Sequence, residues 1–201
     1  MGEARLVERE IQWVRVRNGR VELQTSSLDR GLGVRVLKGG WGYAASWNAD
    51  LSVADRAVDL AEAAAGRAWP DIDVGHREPS TGTWSSPMDI DPFGVPADEK
   101  VALLVAATEA MKVDIAEAAT VCIRRHTRFA STEGSSWEQT QVVTGASLTA
   151  RAIRDGRVQV RSYPKSTEGD LQGRGWESVL GLNLVDQAPR VAEEARQLLD
   201  A

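Results

Sequence analysis

Residues 30–66, RGLGVRVLKGGWGYAASWNADLSVADRAVDLAEAAAG, decide the reading of the fold. Leu32, Val34 and Val36 alternate with Gly33, Arg35 and Leu37, the two-residue period of a strand with one buried face. Lys38-Gly39-Gly40 turns the chain, and residues 41–46 return as a second strand. Ser52 with Asp55 three positions on has the spacing of a capping box. Val53, Ala57, Leu60, Ala61 and Ala64 then recur at helical spacing, and Gly66 supplies a stop. A helix whose buried stripe is mostly alanine is suited to close packing on a sheet. The segment reads as a structural unit, not as a reaction centre.

Upstream, residues 11–17 alternate in polarity so evenly that either face could be the buried one. Asn18-Gly19 is the dipeptide best suited to a tight hairpin, because both residues tolerate positive φ. Residues 20–26 return, so four short strands make a first antiparallel meander. Downstream, residues 69–96 hold five of the seven prolines and read as a long connector. A second helix spans 97–111, with Val101, Leu104, Val105 and Thr108 on one face. Strand patterns resume at 121–129, 137–144, 146–154 and 157–163, with turns at Ser131-Thr132-Glu133-Gly134 and Asp155-Gly156. A Gly-rich loop at 168–175 leads to a last helix bearing Leu184, Ala188, Val191, Ala195 and Leu198. Clustered strands predict an α+β fold in two layers, a largely antiparallel or mixed sheet from two strand meanders with helices packed on it. Residues 1–201 read as a single domain.

Composition excludes several classes. The net charge of -5 and pI of 5.2 argue against a general grip on nucleic acid, which needs a basic face. Cys122 is the only cysteine, so no intramolecular disulfide framework is possible. The N-terminus MGEARLVEREIQ lacks the apolar run of a secretory signal, and no window approaches the roughly 20 apolar residues of a membrane helix. A cytoplasmic protein without a membrane partner is expected.

Candidates for chemistry are sparse. The two histidines, His76 in the connector and His126 on a strand, form no HExxH or HExxxH pairing. Asp71, Asp73 and Glu78 beside His76 could offer oxygens to calcium, but a solvated acidic loop accounts for them. Cys122 sits in an apolar strand as a small hydrophobe. Ser131, Ser135 and Ser136 lack the strand-to-helix setting of a nucleophile elbow. Gly31-Leu32-Gly33, Gly39-Gly40-Trp41-Gly42 and Gly173-Arg174-Gly175 do not open a helix after a strand as phosphate cradles do. Arginines crowd the predicted strands, among them Arg15, Arg17, Arg35, Arg124, Arg125 and Arg151. They fit either a solvated face laced with ion pairs or a polar sheet face that meets another domain or lines a chamber. Seven tryptophans raise the same question of core against interface.

Several pieces, in order, closely resemble the N-terminal domain of the TldD/PmbA family of metallopeptidases, long described as modulators of DNA gyrase. They are Gly31-Leu32-Gly33-Val34-Arg35-Val36, Trp41-Gly42-Tyr43-Ala44, Asp91-Pro92 ahead of the Lys100 helix, Ser131-Thr132-Glu133-Gly134, Gly175-Trp176-Glu177 and residues 195–201. Glu138-Gln139 and Gly175-Trp176-Glu177 look more like the TldD branch. The resemblance implies structural or interface roles for Gly31, Gly33, Arg35, Trp41, Gly42, Glu133, Gly134 and Trp176. Two departures stand out: the family's helix before the first strand is missing, and the zinc-binding HExxxH helix belongs to a C-terminal domain that this sequence lacks. The resemblance therefore implies no catalytic, cofactor-binding or metal-binding residue here, with zinc expected in that C-terminal domain. It implies a non-catalytic domain of a TldD-like zinc metallopeptidase, serving assembly and substrate access in proteolysis of small or unfolded polypeptides. The partner would be a TldD/PmbA-type subunit, in a homo- or heterodimer. The alternatives are a free-standing regulatory protein that pairs with a full-length peptidase, and a self-contained hydrolase using His76 or His126.

Overall fold

The computed structural model describes residues 1–65, 75, 78–165 and 170–201, and their fold is α+β. The elements run β1 (Gly2–Arg17), β2 (Arg20–Leu37), β3 (Trp41–Ser46), α1 (Ser52–Ala65), β4 (Thr81–Ser85), α2 (Ala97–Ala110), β5 (Ile115–Ser131), β6 (Ser136–Arg154), β7 (Arg157–Tyr163), β8 (Asp170–Gln172), α3 (Glu177–Leu180) and α4 (Leu184–Gln197). One sheet has the order β3-β2-β1-β5-β6-β4, with β7 and β8 also paired to β6. The described β4–β6 pairing is parallel, whereas β2–β3, β6–β7 and β6–β8 are antiparallel. Gly66, His76, Asp71, Asp73 and the first two residues of the loop read at 168–175 lie outside the described residues, whereas 170–172 of that loop form β8.

Several strands are longer than their sequence suggests, and two pairs of expected strands merge. Residues 20–26 and 32–37 belong to one strand, β2, and β6 runs unbroken through Gly145. The polar run at 27–31 reads as a break, yet β2 is flanked by β3 and β1, and its side chains there are largely exposed. Gly145 is a close approach instead of a turn: a Cβ there would lie 2.5 Å from the Asp170 carbonyl oxygen of β8. The connector also contributes a strand, β4. Two turns form where the sequence places them, with positive φ at both Asn18 (46°) and Gly19 (75°), and at both Asp155 (51°) and Gly156 (76°).

The chain groups into two compact units. Unit 1 comprises residues 1–10, 28–85 and 125–141, and unit 2 comprises 11–27, 86–124 and 142–201. In unit 1, Leu32, Val34 and Ala44 of the sheet meet Val53 and Ala57 of α1. Leu60, placed on the buried stripe by its spacing, is exposed instead. The helix starts on Asp50, whose carboxylate accepts the Ser52 N–H at 2.9 Å and the Ser52 hydroxyl at 2.7 Å. That cap replaces the expected Ser52–Asp55 box, and its hydrogen bonds hold the Asp50 carboxyl below its ordinary pKa. In unit 2, α2 and α4 pack together over Val14, Val16, Cys122, Leu148 and Ala150. This core holds Leu104, Met111, Leu184 and Val191 as well, and it is far larger than that of unit 1.

Candidate functional site

The face of unit 1 turned away from α1 is built by strand alternation. Val34 and Ala44 pair across β2 and β3 and are buried, so the next pair, Arg35 and Tyr43, stands on the opposite face. Arg35 donates from Nε and Nη2 to Glu3 Oε2, at 3.1 and 2.6 Å, and its guanidinium lies 4.6 Å from the Trp41 ring. Arg5 lies 5.4 Å from the Phe129 ring, which stacks on Trp137 with centroids 4.8 Å apart. At exposed sites each such guanidinium–ring contact is worth about 0.5–1 kcal/mol. Two cavities of about 430 Å³ each occur in this unit and share Arg5 and Trp137. One takes in Arg35, Trp41 and Glu133. The other is lined by Arg9, Arg30, Arg125 and Trp47, with Gln139 and Gln141 beside them.

Exposed aromatics mark the surface of unit 1. Trp47 is 78% exposed and Tyr43 62%, and Trp84 of β4 is half exposed. Of the sequence's interface candidates, Arg35 and Trp41 are thus in contact, and Glu133 lines the same cavity from the β5–β6 turn. Gly134 in that turn has φ of +93°, where a side chain would be strained. Gly42 serves packing: a Cβ would fall 1.9 Å from the Ala57 carbonyl oxygen and 2.5 Å from the Ala61 nitrogen of α1. Gly33 lies beneath the Tyr43 hydroxyl, at 3.1 Å from a would-be Cβ, and Gly31 lies beside Trp47.

Trp176 sits elsewhere, buried in unit 2, where two of the quoted sequence pieces lock together. Its N–H donates to the Ile90 carbonyl at 2.8 Å. Glu177 accepts the Gly175 N–H at 2.8 Å and the Ile90 N–H at 3.1 Å. Burial pushes the Glu177 carboxyl up, but N–H donors from Glu177 itself, Gly175, Ile90 and Asp89 outweigh it and hold the pKa below its ordinary value. The Asp91 carboxylate accepts from Arg124 Nη2 at 2.6 and 2.7 Å and from the Phe93 N–H at 3.0 Å, and Arg124 lies 4.3 Å from the Phe93 ring. Lys100 is 1% exposed; its ammonium donates to the Pro92 carbonyl and to Gln12 Oε1, both at 2.6 Å, and lies 5.5 Å from the Trp176 ring. A buried ammonium satisfied by neutral acceptors and a ring face is a structural clasp. Helical periodicity cannot flag it, since a lysine on an α2 stripe reads as solvated.

The donor set does not fit zinc. Among the described residues, no three His, Cys, Asp or Glu side chains converge. His126 is partly buried, with Nδ1 3.0 Å from the Thr140 hydroxyl and Nε2 2.6 Å from Glu138 Oε1 in an ion-pair contact outside hydrogen-bond geometry. The Arg128 hydrogen bond, then the charges of His126 and Arg128, keep Glu138 below its ordinary pKa. One imidazole and one carboxylate are too few ligands for a tetrahedral site. Burial pushes the Cys122 thiol up, away from the thiolate that binds metal or attacks. Much of the arginine crowd forms cross-strand or sheet-to-helix ion pairs, such as Arg9–Asp29, Arg17–Glu117 and Arg161–Glu194. Among the described residues Arg125, like Arg15, Arg20 and Arg157, has no ion-pair partner, and of these four it alone lines the cavity with Gln139 and Gln141. Alternation alone could place it on the open face, but not show that it goes unanswered.

Comparison with known proteins follows the same lines. The family description PmbA/TldA metallopeptidase domain 1 matches residues 2–65, and PmbA/TldA metallopeptidase central domain matches 90–200. No curated protein matches by sequence. Among solved structures, a candidate modulator of a DNA gyrase from Thermotoga maritima is 17% identical with a TM-score of 0.63, covering 96% of this chain and 43% of its own. TldE from Thermococcus kodakarensis is 14% identical with a TM-score of 0.60, covering 97% and 44%. A candidate modulator of DNA gyrase from Bacteroides thetaiotaomicron is 10% identical with a TM-score of 0.60, covering 90% and 45%. The chain thus spans less than half the length of these structures. At such identities they show a shared fold.

Proposed function

Since the chain belongs to the PmbA/TldA metallopeptidase family, matched over its first and central domains, we propose that it serves a peptidase by holding polypeptide and a partner subunit while cutting nothing itself. The observation that carries this reading is the exposed arginine and aromatic face of unit 1, with Arg35 against Trp41 and Arg5 against Phe129. Exposed aromatics beside guanidinium groups supply contact area at low entropic cost, and they are typical anchors of protein contacts. The thin donor set around His126 supports a non-catalytic role, because metal-assisted hydrolysis needs a held ion, an open position for water and a base in reach. Within the family the proposed partner is a TldD/PmbA-type subunit, the proposed substrates are small or unfolded polypeptides, and the proposed compartment is the cytoplasm. No described helix is long and apolar enough to cross a membrane.

The test is to incubate the purified chain with a fluorescent unfolded polypeptide, with added zinc or with chelator, and to follow anisotropy and fragment size together. Saturable binding with the polypeptide intact under both conditions is expected. Chelator-sensitive cleavage, or no binding at all, contradicts the proposal.

A further inference from the structure

The chain is acidic, yet one cavity of unit 1 gathers four arginines, Arg5, Arg9, Arg30 and Arg125, around a single lining carboxylate, Asp29. Two of these charges are answered, Arg9 by Asp29 at 3.0 Å and Arg30 by Glu8. Arg5 rests on the Phe129 ring and Arg125 has no ion-pair partner among the described residues. The Thr132 N–H donates to the Gly2 carbonyl, and counting along the β1–β5 ladder from that bond puts Arg5 opposite Phe129 and Arg9 opposite Arg125. Like charges directly opposite one another destabilise a sheet unless something anionic answers them. Asp29 answers only one of the two.

The rest of the cavity narrows the class of anion. Gln139 and Gln141 stand two positions apart on β6, so their amides share one face at the spacing of about 6.8 Å that also separates alternate side chains of an extended peptide. Each amide offers both donor and acceptor groups, which suits a peptide backbone. Nucleic acid is the poorer fit: two unanswered arginines on a chain of charge -5 neutralise few phosphates. We infer that this cavity is a subsite for an extended polypeptide segment carrying Asp or Glu at alternate positions, with Arg125 and Arg5 taking its carboxylates and Gln139 and Gln141 taking its backbone. The inference rests on the proposed polypeptide-holding role and adds the charge of the polypeptide it prefers.

The experiment is fluorescence anisotropy on the whole chain with two labelled heptapeptides, one alternating Glu with Thr, the other identical but with Gln for Glu. The acidic peptide is expected to bind at least about tenfold tighter, the scale of one charge-assisted hydrogen bond. Arg125→Glu should abolish that preference and Arg125→Gln should reduce it. The charge-matched control Arg157→Glu, at the exposed start of β7, should leave it intact. Circular dichroism checks that each variant is folded. Equal binding of the two peptides overturns the inference and leaves the polypeptide-holding role standing, whereas no binding of either overturns both. An unchanged preference in folded Arg125→Glu and Arg125→Gln also overturns it. So does a single-stranded oligonucleotide that displaces the acidic peptide at equal concentration, which would mark a nucleic-acid surface.

Discussion

The two units solve the same packing problem in opposite ways. Unit 1 brings α1 onto β3 by removing side chains: Gly42 lies against the helix backbone, and Ala57 and Ala61 are fully buried. Unit 2 fills its interior with Leu104, Met111, Leu148, Leu184 and Trp176 and ties its loops with the Lys100 and Glu177 clasp. Close backbone approach buries little apolar area, so unit 1 has less hydrophobic free energy to spend than unit 2. Local stability is therefore expected to differ along one chain, lower around α1 and β3 than around α2 and α4. Sites that engage a ligand or a partner are commonly drawn from the less stable end, and the open face belongs to unit 1.

Substitutions can break that contrast. Gly42→Val should act most strongly, at about 3 kcal/mol or more, because the Ala57 carbonyl occupies the space its Cβ needs and backbone cannot move aside cheaply. Hydrogen exchange should then show α1 and β3 amides exposed while α2 and α4 stay protected. Lys100→Met should cost about 2–3 kcal/mol in unit 2, since it leaves the Pro92 carbonyl and Gln12 Oε1 buried without their donor. Hydrogen exchange of the α2 and α4 amides in rising denaturant measures it.

Acid sharpens the comparison. The folded-state pKa of Glu177 lies below its unfolded value, so its contribution is complete above the ordinary carboxylate range and is lost as pH falls through the lowered folded value. Glu177→Gln should remove about 1–2 kcal/mol near neutral pH and flatten the acid limb of the unit 2 transition. Denaturation midpoints from pH 7 down to pH 3 test this, and an unchanged acid limb in the variant contradicts it. The smallest effect expected is Asp50→Ala, which loses the α1 cap and is read as faster exchange at residues 52–55 alone.

Much of the fold is legible in residue patterns, and the misses share a cause. The hairpins at Asn18-Gly19 and Asp155-Gly156 depend on local φ, so their dipeptides suffice. Helices α1, α2 and α4 follow from periodicity to within a residue or two, whereas the single turn α3 is too short to show a period. Strand lengths do not, because whether a polar run such as 27–31 breaks a strand depends on the neighbours that pair with it. Unit 1 draws residues 125–141 back beside 1–10 and 28–85, a return that no local pattern encodes. The joining of Arg35 with Trp41 was accessible as a register argument across one hairpin. The clasp of Lys100, Pro92 and Trp176 was not, since its members come from distant parts of the sequence. Arg125 was visible only as one arginine among many, and its lack of a counter-charge is a property of the folded neighbourhood.

The most direct test of a polypeptide-holding face is hydrogen exchange of the chain with and without a saturating unfolded polypeptide, resolved by peptide fragments. Protection is expected in the unit 1 segments that carry the open face, residues 2–10, 125–131 and 136–141, with α2 and α4 unchanged. Protection centred on α2 and α4, or none despite saturating polypeptide, would contradict it.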